Sequence, residues 1–337
     1  MKKAVLLINL GSPDKPTIPS VWKYLRQFLM DARVIDVPWI LRFLLVNFII
    51  IPFRVKNSTK EYKKMWKMHG KSPLIKNTDS LTKKLKLRYS DKYDFYFAMR
   101  YQNPSIDDAL EKIYAKNYDE LIILPLYPQY ASASSGSTIE YCNKIINKWW
   151  NFPKITIISN FFNDQSYINC IVENAKKFEI ENYDHILFSY HGLPERHVDK
   201  TYVNKTLCAD NECEKEITDD NKFCYKAMCY ETTKLIAKEL VLSEEQYSVT
   251  FQSRLDDKWL KPYTDNEIIK LAQSGKSKVL IFSPAFVSDC LETIVEINEA
   301  NKEDFIIEGG EKFDLVPSLN DNDKWVDSII TIIENNE

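Results

Sequence analysis

His185-Ile186-Leu187-Phe188-Ser189-Tyr190-His191-Gly192-Leu193-Pro194 is the stretch on which the fold of this chain turns. Its first six residues form an apolar run of strand length with little alternation. That is the pattern of a parallel strand covered on both faces, not of one with a wet side. Gly192 and Pro194 then force a turn, which leaves His191 at the carboxyl end of the strand. Working outward, runs of the same kind occur at 4–9, 121–125, 155–159, 248–252 and 279–283, with helical patterns at 137–149, 165–178, 231–239 and 290–300. Strands alternating with helices predict an α/β fold of doubly wound parallel sheets. The stretches beginning at 121 and 279 share a layout of strand, proline-containing turn and helix. Two similar Rossmann-like domains are therefore expected, 1–160 and 161–337, with a cleft between them. Ligands of open α/β sheets bind beyond the carboxyl ends of the strands, so the chemistry belongs there.

Composition narrows the classes of function. The 337 residues are 45% hydrophobic, enough for one large or two ordinary domains. A net charge of −3 with no basic excess points away from nucleic acid as a partner. Aromatics make up 13%, which supplies ring faces for a planar apolar ligand, although aromatic residues are core material first. Met1-Lys2-Lys3 followed by a short apolar run looks like a signal peptide, but no small-residue cleavage site follows, and a first buried strand explains it better. The most apolar segment, 43–53, is interrupted by Asn47 and Pro52 and falls short of the ~20 residues needed to span a bilayer. It is either a core helix or an exposed lip that touches lipid or a greasy substrate. A cytoplasmic protein without a transmembrane helix is expected, with peripheral membrane association as the alternative.

Three strand ends carry chemistry. His191 can accept a proton near neutral pH or ligate a divalent metal, or it can merely hydrogen-bond the turn. His185, His197 and His69 are less well placed. After 279–283 comes Pro284-Ala285-Phe286-Val287-Ser288-Asp289-Cys290-Leu291-Glu292-Thr293-Ile294-Val295-Glu296. Glu292 and Glu296, four apart, share a helix face with no intervening cation. Their repulsion would let one hold a proton near neutral pH, suiting the pair to carry protons or guide a cation. The plainer reading is a solvated helix face, with Asp289 and Glu292 favoured by the helix dipole. After 121–125 the loop with Ser132, Ser134, Ser135, Gly136 and Ser137 opens a helix, forming either an anion cradle or a simple cap. It is no P-loop. Arg100 and Tyr101, and Arg254 with Trp259, add cationic and aromatic groups near other strand ends.

A polar insert at 205–230 holds Cys208, Cys213, Cys224 and Cys229, spaced C-x4-C-x10-C-x4-C. Its low apolar content calls for a staple. An iron–sulfur cluster, a structural zinc and free thiols are the readings, since disulfides are uncommon in the cytoplasm.

Taken together, Val5-Leu6-Leu7-Ile8-Asn9-Leu10-Gly11-Ser12-Pro13, Ala98-Met99-Arg100-Tyr101, Leu124-Pro125-Leu126-Tyr127-Pro128-Gln129-Tyr130, Ser189-Tyr190-His191-Gly192-Leu193-Pro194, Thr250-Phe251-Gln252-Ser253-Arg254 and Ser288-Asp289-Cys290-Leu291-Glu292-Thr293 resemble ferrochelatase. They stand in the family's order and cover nearly the whole chain. The resemblance implies a lyase of heme biosynthesis that inserts Fe2+ into a porphyrin bound between the two domains, with an apolar lip at 37–53. It makes His191 a metal ligand and acceptor of pyrrole protons, Glu292 its acidic partner on the metal, and Glu296 with Asp289 a continuing acidic path. Arg100, Tyr101, Ser132, Ser134, Ser137 and Trp259 would meet the porphyrin and its propionates. Relatives that use coproporphyrin carry Tyr where this chain has Leu10, which implies protoporphyrin IX. Some relatives hold a [2Fe–2S] cluster on cysteines of a similar insert, which here would be Cys208, Cys213, Cys224 and Cys229. Rival readings are a noncatalytic tetrapyrrole or metal carrier, and a cobalt chelatase acting on an earlier tetrapyrrole.

Overall fold

The computed structural model describes residues 2–337. The chain divides into two compact units. The first comprises residues up to Tyr127, Ala131–Asn160 and Asn320–Glu337; the second comprises Pro128–Tyr130 and Phe161–Leu319.

Each unit is built on a four-stranded, all-parallel sheet flanked by helices. In the first, β1 (Lys3–Gly11), β2 (Tyr93–Tyr101), β3 (Glu120–Pro125) and β4 (Lys154–Ile157) lie in the order β2-β1-β3-β4. In the second, β5 (His185–His191), β6 (Tyr247–Gln252), β7 (Lys278–Phe282) and β8 (Lys312–Leu315) lie in the order β6-β5-β7-β8. The central strands are buried almost throughout, as their unbroken apolar sequences require. Leu6, Ile8, Leu110 and Ile123 anchor the first core; Leu187, Ile268, Ile281 and Phe305 anchor the second.

All six expected strands are present. The two that sequence patterning did not place as strands are β2, whose residues alternate in burial, and β8, a four-residue edge strand with two charges. The segment Asn320–Glu337 belongs to the first unit. It is tied to the helix Pro73–Tyr89 by Ser80 donating to Asp321 (2.6 Å) and by Arg88 pairing with Asp323 (2.8 Å) and Asp327 (3.1 Å).

In both sheets the chain leaves the first strand toward one side and later returns on the other. The reversal creates a switch point at the carboxyl ends of β1 and β3, and again at those of β5 and β7. A glycine marks each. Gly11 has φ +106°, and an added Cβ would lie 2.0 Å from the Tyr101 carbonyl oxygen; at Gly192 it would lie 2.7 Å from that of Gln252. The neighbouring strand passes too close for a side chain at either place.

Candidate active site

In the second unit, buried hydroxyls tie the ends of β5 and β6 together. Ser189 donates to Gln252 Oε1 (2.9 Å) and shares a hydrogen bond with Thr264, which in turn donates to Thr250 (2.9 Å each). At the end of this braced strand sits half-buried His191. Its Nδ1 lies 2.6 Å from the Gly192 carbonyl oxygen. A carbonyl only accepts, so Nδ1 carries the hydrogen, and in the neutral ring Nε2 keeps the lone pair that a metal or proton would take. The His191 carbonyl accepts from Tyr225 Oη at 2.9 Å, which fixes the backbone from the other side. Trp259 and Phe286 flank the imidazole, with ring centroids 6.5 and 6.4 Å away. Trp259 is held there because the turn after His191 is zipped to its segment, through Glu195 N to Lys258 O and Leu260 N to Leu193 O, both 2.9 Å.

The helix that follows β7, Glu292–Asn301, is a π-helix bonded i to i+5 rather than an α-helix. At roughly 4.4 residues per turn, positions four apart still lie close to one face. Glu292 and Glu296 are both half-buried. Ser253, at the end of β6, grips the Glu296 carboxylate with two donors: its N–H to Oε1 at 2.8 Å and its Oγ to Oε2 at 2.5 Å. It does so from a left-handed backbone conformation, φ +62°. Burial raises the Glu296 pKa above the ordinary carboxylate range, and the Glu292 charge adds to this; the Ser253 donors and His191 pull the other way. Burial also pushes the Cys290 thiol well up, so it stays protonated beside the glutamates. Arg254 is occupied by Asp265 at 2.8 Å and lies over the Tyr263 ring.

The first unit gathers Arg100, Tyr101 and Ser137 around a residue that sequence reasoning did not single out, Asp31. Its Oδ2 accepts from Arg100 Nη2 (2.6 Å), Tyr101 Oη (3.0 Å) and Ser137 Oγ (2.5 Å), and Arg100 Nε also donates to Ser137 Oγ (2.8 Å). The guanidinium lies 4.6 Å from the Tyr101 ring centre and 4.4 Å from that of Tyr141. With the Arg100 and Asp31 side chains only 10% and 9% exposed, the charge of Arg100 is met inside the protein. Burial, then the adjacent Asp31 charge, raises the Tyr101 pKa and keeps its hydroxyl a donor. Ser132 accepts from Arg33 Nη1 at 2.9 Å, and Arg33 also pairs with Glu140 at 2.5 Å. Arg33 was likewise missed: in a loop, Asp-Ala-Arg reads as ordinary surface charge. Ser134 is half-buried and bonds only weakly to Ala131 O, at 3.4 Å, and Leu10 is half-buried where β1 ends.

In the insert, Cys208, Cys213 and Cys224 bring their Sγ atoms to within 3.6–3.7 Å of one another. Cys229 is not a member of this close group; it is fully buried beside Tyr225 and interacts electrostatically with Cys224. The expected [2Fe–2S] cluster needs four thiolates, two on each iron. The trio brings together three of the four cysteines expected to hold it.

The segment 39–53 is helical and presents Trp39, Ile40, Leu41, Phe48, Ile49 and Phe53 to the surface. Of the two sequence readings, it is the exposed one. Among the described residues no helix is long and apolar enough to cross a membrane.

The family model described as Ferrochelatase matches residues 2–337. A protein named Ferrochelatase from Coxiella burnetii (strain Dugway 5J108-111) is 42% identical over 334 residues, covering 97% of this chain and 92% of its own. Another of that name from Legionella pneumophila (strain Corby) is also 42% identical, covering 99% of both. Among solved structures, SirB from Bacillus subtilis with Fe3+ aligns with a TM-score of 0.56 at 9% identity, covering 100% of this chain and 96% of that one, a likeness of fold. The family match from end to end and the identity sustained over 334 residues give one conclusion: this chain belongs to the ferrochelatase family.

Proposed function

We propose that this chain is a lyase that inserts Fe2+ into protoporphyrin IX, releasing two protons and forming protoheme, the last step of heme biosynthesis. The observation that carries this reading is the pairing of a histidine whose Nε2 keeps its lone pair with a glutamate whose proton affinity is raised, in one unit. Metalation exchanges two pyrrole protons for one divalent cation, so the ring needs proton acceptors beside it and the cation needs ligands. His191 Nε2 takes a pyrrole proton or holds the incoming Fe2+, with Glu292 as its acidic partner on the metal. Glu296, gripped by Ser253, relays the second proton outward with Asp289. Trp259 and Leu10 supply apolar and aromatic surface for the macrocycle, whereas Tyr101, fully buried, braces the strand end behind it. Ser132 and Ser134 offer hydroxyls to its propionates, and Arg33 beside Ser132 is better placed to meet their charge than Arg100 and Ser137, which are nearly buried and bound to Asp31.

Leu10 favours the divinyl ring over coproporphyrin, because an apolar side chain has no donor for a further carboxylate. The exposed apolar face at 39–53 supports a peripheral contact of a cytoplasmic protein with a lipid surface. The test is Fe2+ insertion by the purified chain, followed by porphyrin absorbance, with protoporphyrin IX and coproporphyrin compared. His191→Ala is expected to lower turnover by on the order of 10²–10⁴-fold while porphyrin binding persists. Full turnover in that variant would remove His191 from the reaction, and equal rates on both porphyrins would remove the substrate assignment.

A further inference from the structure

Charge is unevenly spread along this chain. The net charge is −3, yet eight lysines and arginines stand between 54 and 76 against a single acid, Glu61. Most of them ride on the 19-residue helix Ile51–His69, which buries Ile51, Val55, Thr59, Tyr62 and Met65. Its exposed side carries Phe53, Lys56, Lys60, Lys63 and Lys67, spaced alternately three and four residues apart. At ~3.6 residues per turn that spacing keeps all five within about 80° of arc, a stripe roughly 21 Å long. Among the described residues none of these four lysines has an ion-pair partner, and Glu61 is taken by Lys64 at 3.2 Å.

Such a stripe works against its own helix. Lysines three and four apart repel, and no acid is interleaved to offset them. The helix dipole favours cations only in the last turn, which accounts for Lys67 but not for Lys56 or Lys60. An anion from outside relieves the repulsion, and the neighbouring surface indicates which kind. The stripe begins at Phe53, which is 82% exposed, and the residues just before it leave Trp39, Ile40, Leu41, Phe48 and Ile49 more than half exposed. Trp39, Phe43 and Phe48 form a row of rings with centroids 5.4 and 6.1 Å apart, so the apolar surface is continuous. Rings leading into a lysine-lined helix match both layers of a bilayer interface, the acyl chains taking the rings and the phosphates the ammonium groups. A nucleic acid would meet the lysines and leave the rings in water.

We propose that the helix Ile51–His69 lies along an anionic phospholipid bilayer, with Phe53 and the rings before it in the interface and Lys56, Lys60, Lys63 and Lys67 against the lipid phosphates. This assignment rests on the lipid contact drawn from the exposed apolar face and names the class of lipid that face takes. Selectivity for negative headgroups follows, because apolar residues alone bind neutral and anionic bilayers alike.

The test is co-sedimentation of the full chain with vesicles of phosphatidylcholine alone or mixed with phosphatidylglycerol. Binding to the mixed vesicles is expected to be on the order of 10²-fold tighter at low salt and to weaken steeply as salt is added. Changing the stripe as a whole, with K56Q, K60Q, K63Q and K67Q together, should weaken binding to mixed vesicles by about tenfold or more and leave binding to neutral ones unchanged. A second variant, with K112Q, K148Q, K176Q and K238Q at exposed lysines elsewhere, has the same net charge and should bind as wild type does. The salt series on wild-type protein needs no variant to fold. Equal binding to both kinds of vesicle overturns the selectivity and leaves the lipid contact standing; binding to neither removes both. Equal weakening in the two variants would make net charge the cause and overturn the role of the stripe. Stripe-dependent retention of duplex DNA without vesicle binding would assign the helix to nucleic acid instead.

Discussion

The two units share one frame and differ in what they place on it. Strand order is the same, and in each the first strand stops at a glycine pressed against the carbonyl of the adjacent strand. The residue before that glycine is Leu10 in the first unit and His191 in the second. Around Leu10 the charges are closed on themselves, with Arg100 bound by Asp31 and Ser137. Around His191 the chemistry is open: an imidazole with one nitrogen committed to a carbonyl, and a half-buried glutamate whose proton affinity burial has raised. A parallel sheet thus supplies equivalent crevices, and the side chains at the strand ends decide which becomes reactive. One switch point has its buried charges paired; the other presents groups that can take up protons.

That contrast can be broken most directly by exchanging its defining residues. His191→Leu gives the second unit the residue found in the first and should reduce iron insertion by on the order of 10²–10⁴-fold, read as porphyrin metalation rate. Leu10→His should not restore activity to it, since the helix after β3 carries no pair of glutamates, only Glu140, which is bound by Arg33 and Lys144. A double variant that regained turnover would show the units to be interchangeable.

The closed charge system of the first unit should appear in stability rather than in turnover. Asp31→Asn removes the carboxylate that Arg100, Tyr101 and Ser137 share, leaving a nearly buried guanidinium without its counterion. A loss of about 3 kcal/mol is expected in chemical denaturation. An unchanged midpoint would mean that solvent compensates the cation.

The smallest effect lies in pH dependence. Because the folded-state pKa of Glu296 is raised, the native state holds a proton that the unfolded chain has already released. Its contribution to stability is full below the ordinary carboxylate range and is lost as pH rises through the folded value. Wild-type stability should therefore fall across that window relative to Glu296→Gln, which has no proton to lose. Parallel curves for the two proteins would place Glu296 in an ordinary solvated setting.

Much of this was legible in the chain itself. Buried parallel strands must be apolar along their whole length, so β1, β3, β5, β6 and β7 stood out. His191 before Gly-Leu-Pro, and two glutamates four apart after another such strand, marked reactive strand ends. β8 did not stand out, because four residues with two charges at a sheet edge carry no periodicity. Asp31 and Arg33 were illegible for a different reason. Their roles come from partners about 70 and 100 residues away in sequence, Arg100 and Ser132, and only folding brings those together.

The four cysteines show the same limit at finer scale. Their spacing indicated that thiols would organise a polar insert, because nothing else there could be buried. Which of them converge was set by the turn of the helix after Cys224, which carries Cys229 into the core and leaves three sulfurs together. The sequence by itself determined the layered α/β architecture and the residue types at the strand ends, since both follow from local pattern and burial. The tertiary structure decided the partners: which arginine is neutralised, which glutamate has its proton affinity raised and which cysteines meet. Those depend on distances and directions that a linear pattern does not contain.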